Sequence, residues 1–78
     1  MGTNNIERRN SMFIVIEIQA TAESVATIVN DYADRLQAES KYHQILAAAA
    51  ISEVPKHGAV LLNDEGQRIN SECYIHEG

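Results

Sequence analysis

The chain has one cysteine, one proline, one phenylalanine and no tryptophan in 78 residues. A single thiol, Cys73, closes no internal disulfide, and a lone thiol fits a reducing compartment. No apolar run approaches the ~18 residues of a membrane span. The polar start of the chain has no apolar core for a signal peptide. Basic residues are also few: six Lys and Arg stand against eleven Asp and Glu, for a net charge of −5. Arg8, Arg9, Arg35, Lys41, Lys56 and Arg68 are scattered along the chain. That balance excludes a nucleic-acid backbone as the expected partner. The expectation is a soluble, cytoplasmic protein without a membrane partner.

Chemical motifs are missing as well. His43, His57, His76, Cys73 and Glu39 show no metal-ligand spacing such as HxxxH or CxxC, so no metal is expected. There is no glycine-rich phosphate loop and no nucleophile elbow around Ser52 or Ser71. The expected protein therefore has no cofactor, no catalytic residue and no enzymatic activity.

Size sets the next constraint. A chain this short buries only roughly 60% of its unfolded surface, so its monomer is marginal. Such domains need disulfides, a metal or a partner subunit. With the first two set aside, self-association is expected.

The pattern of apolar residues gives the architecture. Met1 to Ser11 (MGTNNIERRNS) reads as a disordered leader, and residues 12–78 as one domain. Phe13 to Ile18 (FIVIEI) is a strand, apolar on both faces except at Glu17. One face needs a cover beyond a single helix. Val25 to Val29 is a second strand joined to the first as a hairpin; the alternative is a helix from Thr21 through Tyr32. Asp31 reads as the N-cap of a long helix that runs to about Ile51, with Asp34 in its first turn. On a helical wheel Tyr32, Leu36, His43, Leu46, Ala47 and Ala50 share one side, and Tyr42, Ile45 and Ala49 form a weaker flank. Two flanks imply two packing partners. Pro55 stops the helix. Ala59 to Leu62 is a third strand, Asn63-Asp64-Glu65-Gly66 a type I turn with Gly66 left-handed, and Gln67 to His76 a fourth strand. Alternation in that strand sets Ile69, Cys73 and Ile75 on the core face and Arg68, Tyr74 and His76 on the other. The predicted fold is α+β, in the order ββαββ: a four-stranded antiparallel sheet of two hairpins with one long helix packed on it.

Seven side chains are candidates for binding a ligand. His43 is a histidine on the apolar side of the helix, either held by Glu39 one turn earlier or facing a pocket. Tyr42 beside it is a margin-of-core residue or a stacking ring. Lys56 and His57 sit in a loop before Gly58, where they could meet a phosphate or simply be solvated. Arg68, Tyr74 and His76 would offer a cation, a ring and a donor, or else form the charged solvent face of an edge strand.

From Phe13 onward the layout resembles a family of small bacteriophage and prophage proteins. The matching features are FIVIEI, the segment KYHQILAAAAISEVPKHGAVLL and the closing NDEGQRINSECYIHE. The chain departs from the family at Glu39, where an apolar residue is usual, and in the leader. The resemblance implies a setting in the host cytoplasm and a role against host defence. The expectation is a homo-oligomeric protein that binds a small nucleotide-derived immune signal, of cyclic nucleotide or cyclic ADP-ribose type, without cleaving it. The alternative is a module that blocks a host protein through its sheet edge or helix.

Overall fold

The computed structural model of the protein describes residues 11–76. The leader expected over Met1 to Ser11 falls outside the described residues, except for Ser11. Strands β1 (Phe13–Ala20) and β2 (Val25–Tyr32), helix α1 (Arg35–Ala50), and strands β3 (Lys56–Asn63) and β4 (Arg68–Ile75) follow in that order. The four strands form one antiparallel sheet in the order β2-β1-β3-β4, with α1 on one face. The ββαββ reading and both hairpins are therefore present, and the two hairpins join through β1 and β3.

Each boundary has a local cause. In the β1–β2 turn, the Thr21 side-chain oxygen accepts the N–H groups of Glu23 and Ser24, and the N–H of Thr21 donates to the Ser24 carbonyl at 2.8 Å. The segment after it is a strand to Tyr32, so the helix starts later than Asp31. Asp34 is the N-cap, its carboxylate accepting the N–H of Leu36 at 3.0 Å. At the other end the N–H groups of Ile51 and Ser52 fold back onto Ala48 and Ala49, and Pro55 keeps the chain from continuing. Gly66 closes the β3–β4 turn at φ 83°, the left-handed conformation that glycine adopts without strain.

The helix buries Ala38, Tyr42, Ile45, Leu46 and Ala49. This corrects the expected stripe. Of its members only Leu46 is buried; His43, Ala47, Ala50 and Leu36 are exposed, and Tyr32 belongs to β2. The flank that looked weaker faces the sheet because it carries Tyr42 and Ile45, two large side chains, between the small Ala38 and Ala49. These pack on Val15 of β1 and on Ala59 and Leu61 of β3, with Phe13, Tyr32, Ile69 and Tyr74 around them.

Strand β4 also departs from simple alternation. A register shift at Leu61/Leu62 pairs Asn70 with Leu61 but Arg68 with Leu62, leaving Ile69 as an extra residue. Tyr74, paired with His57, packs against the core, and Ile69 joins it. Cys73 and Ile75, expected on the core face, lie on the uncovered face and are exposed. That uncovered face has Ile14, Ile16 and Ile18 of β1 and Val60 and Leu62 of β3 along its middle, all half-buried by their neighbours alone.

The buried glycine and the turn glycine predict different losses. A Cβ on Gly58 would stand 2.5 Å from the Glu72 carbonyl oxygen and 2.9 Å from Cys73 Cα, both backbone. Gly58→Ala should destabilise by about 3 kcal/mol, since β4 must shift to admit the methyl. At Gly66 a Cβ meets nothing within 4 Å, so Gly66→Ala should lose only the backbone preference, about 1 kcal/mol. Urea unfolding midpoints rank the two.

Candidate functional site

Glu17 is the one charge in an otherwise apolar β1 core segment, and the structure gives it partners. His57, the second residue of β3, is buried beneath the end of α1. Its Nε2 lies 2.7 Å from Glu17 Oε2, and its Nδ1 lies 2.9 Å from Ser52 Oγ in the segment after the helix. Gln19 Nε2 donates to the same Glu17 oxygen at 3.0 Å. The N–H of Val54 donates to Ser52 Oγ at 3.2 Å. With that lone pair used, the serine hydroxyl is free to donate to Nδ1. His57 Nε2 donates its proton to the Glu17 carboxylate, so each member has a partner.

Burial pushes the Glu17 carboxyl up. The hydrogen bonds from His57 and Gln19, together with the positive charge of His57 and Lys41, pull it further down, so its pKa lies below the ordinary carboxylate value. The hydroxyl–imidazole–carboxylate order is that of a nucleophilic relay, with the two ring nitrogens exchanged. Acyl transfer would also need N–H donors aimed at an oxyanion beside Ser52. The one N–H that reaches this oxygen, from Val54, binds the hydroxyl itself. The geometry fits a tie: it fixes the helix-to-β3 segment onto the central strand.

The seven candidate ligand residues fall into three places. Tyr42 is a core residue, 1% exposed, so both ring faces are covered by protein. Among the described residues its hydroxyl has no hydrogen-bond partner. Burial, and second the Glu72 carboxylate, push its pKa above the usual phenol value. His43 is exposed and meets the Tyr42 ring edge-on at 5.3 Å; Glu39 pairs with Arg35 at 2.9 Å. Lys56 and His57 are strand residues, which corrects their placement in a loop. His57, Tyr74 and His76 come together at the sheet end below the helix C-terminus. There the Tyr74 and His76 rings stack at 6.4 Å and 9°, and His76 Nε2 donates to the Ala49 carbonyl at 2.8 Å. The bulge separates Arg68 from Tyr74: Arg68 shares the uncovered face, where it donates to Ser71 Oγ at 3.0 Å.

Sequence reasoning passed over Gln19, weighed Ser52 only as a nucleophile and set Cys73 on the wrong face. The signal for the first two was Glu17, a carboxylate that a central strand holds only with partners. A shallow groove of about 270 Å³ lies where Gly58 lacks a side chain, lined by Ile18, Val60, Ser71 and Cys73 among others. Among the described residues no three His, Cys, Asp or Glu side chains converge to hold a metal, and no helix is long and apolar enough to cross a membrane.

Two predictions follow from these polar groups. A carboxyl with a lowered folded pKa adds stability that is present above its unfolded pKa and lost as pH falls through the folded value. Acidification below about pH 5 should therefore unfold the wild type more steeply than Glu17→Gln, which should itself cost about 1–3 kcal/mol at neutral pH. Tyr42→Phe removes a buried unpaired hydroxyl and should leave the melting temperature unchanged or raise stability by about 1 kcal/mol. Thermal melts across pH check both. Compared with known proteins, the chain matches no family model, no curated protein and no solved structure, so its function is argued from its own geometry.

Proposed function

We propose that this chain is a non-enzymatic binding module that takes a strand from a partner protein along β2. The observation that carries this reading is the character of that edge. Strand β2 is eight residues long, VATIVNDY, and residues 25–29 are exposed on both faces. Val25 is 65% exposed, Val29 60% and Ile28 51%. Its outer row of N–H and C=O groups has neither proline, lysine nor a bulge to block pairing. The opposite edge, β4, has a bulge and the charges of Arg68 and Glu72. A partner's extended segment can add to β2 through main-chain bonds, with Val25, Ile28 and Val29 giving side-chain contact on both faces. In the phage setting that the resemblance implies, the partner is a host protein and the encounter takes place in the host cytoplasm.

One observation favours a second reading, the sequestering of a small nucleotide-derived signal. Tyr74 and His76 offer stacked rings at the sheet end, but Lys56, which pairs with Ile75, lies on the opposite, uncovered face. The same end has the helix C-terminal carbonyls and Glu17, which disfavour a phosphate. For this reason the protein-binding reading is preferred.

Neighbouring residues of an edge strand direct their N–H groups alternately inward and outward. Of Thr27→Pro and Ile28→Pro, one therefore removes an outer donor and leaves the β1–β2 ladder intact. The variant that keeps its circular dichroism should lose proteins that the wild type retains from host lysate, while His43→Ala on the exposed helix face should keep them. Equal retention by the proline variant refutes strand addition. Recovery of an intact cyclic dinucleotide or cyclic ADP-ribose isomer from heat-denatured protein would instead establish the second reading.

A further inference from the structure

We infer that the uncovered face of the sheet is the contact between two copies of this chain, stacked face to face about a two-fold axis parallel to the strands. The face has one composition in its middle and another at its ends. Register places Ile16 beside Val60 and Ile18 beside Gly58 at its centre. Charge occurs only at the ends, with Asp31 and Arg68 at opposite corners of one end and Lys56 at the other. The corners belong to one row: Asp31 pairs with Ile14, Ile14 with Leu62, and Leu62 with Arg68. The bulge is what brings Arg68 onto this side.

The area is sufficient. Four strands of eight residues cover a footprint of roughly 26 by 19 Å, or ~500 Å² for each copy. Two such faces bury ~1,000 Å² or more once side-chain relief is counted, the threshold for a specific association. Two sheets packed this way keep their strands nearly aligned and interdigitate across about 10 Å.

Charge selects the axis. A two-fold parallel to the strands reverses each row onto itself, so Asp31 of one copy faces Arg68 of the other, twice in an isologous pair. The same operation sets Ile16 over the partner's Val60. It also sets Ile18 over the partner's Gly58, where the groove of about 270 Å³ receives a branched side chain. A two-fold perpendicular to the strands would lay the Asp31–Arg68 end over the Lys56 end and put Asp31 against the apolar Val25. The parallel axis thus satisfies shape and charge together, and it leaves both β2 edges free for a partner. The contact covers the side chains of Val25 and Val29 on this face and leaves the β2 main-chain edge and Ile28, on the helix side, open to strand addition.

Sedimentation equilibrium on the full chain tests the arrangement. The wild type should be a dimer at micromolar concentration. Ile16→Glu should be monomeric with its helix signal retained. Asp31→Arg and Arg68→Asp should each weaken the dimer ~10-fold or more, and the double exchange Asp31→Arg with Arg68→Asp should restore it to near the wild-type constant. These two residues are exposed, so their exchange reports on the contact even if Ile16→Glu unfolds. A monomeric wild type overturns the inference and leaves the face to a different protein or a lipid surface. A dimer lost with the fold-retaining β2 proline variant but kept with Ile16→Glu is an edge-to-edge pair and overturns it too. A double exchange that fails to recover association rules out the parallel axis.

Discussion

One helix of sixteen residues covers one face of a four-stranded sheet, and the two central strands are apolar on both. Most of this molecule follows from that mismatch. Val15, Ala59 and Leu61 are sealed under α1, while Ile14, Ile16 and Ile18 stand on the other side with only their neighbours for cover. Burying the second layer removes apolar area from water at roughly 25 cal/mol per Å², which a domain of this size cannot easily forgo. The division also accounts for where charge appears: on the exposed side of the helix, at the strand ends and in the turns, and mid-strand only at Glu17 of β1 and at Glu72 on the edge strand β4.

Glu17 is the exception that organises the polar interior. A carboxylate under a helix is tolerated because His57, Gln19 and Lys41 answer it, and His57 in turn is held by Ser52. The network joins β1 to β3 and to the segment just before β3, with Glu17 and His57 separated by 40 residues in the chain. It fixes the exit of α1 where apolar contact alone would leave the angle loose. His76 adds a second constraint at the same place by bonding the Ala49 carbonyl.

The element order, both hairpins and the Gly66 turn were legible because β-branched runs, turn residues and Pro55 act locally. The helix face was not. The wheel offered two stripes of similar hydrophobicity, and what decided between them was the combined volume of Tyr42 and Ile45 against a sheet whose shape no local window contains. The start of the helix slipped for a similar reason: Asp31 and Asp34 are both good caps, and pairing of Asp31 with Ile14 in the sheet removed the first. The candidate ligand residues scattered because β4 was read with unbroken period two, whereas one extra residue reverses its phase. His57 and Lys56, assigned to a loop by their neighbours Pro55 and Gly58, were drawn into the sheet by β1 and β4.

That extra residue, Ile69, has a consequence for how the molecule can change over generations. Because side chains alternate along a strand, the bulge works like a parity bit: it decides which side of the sheet the segment before it presents, independently of what that segment is made of. Losing Gln67, with Asn70 still opposite Leu61, would remove the bulge, set Ile69 opposite Leu62 and turn Arg68 toward the helix, without altering any other strand. A single-codon insertion or deletion at this hairpin is thus a short evolutionary route to exchanging the charge pattern of one whole corner.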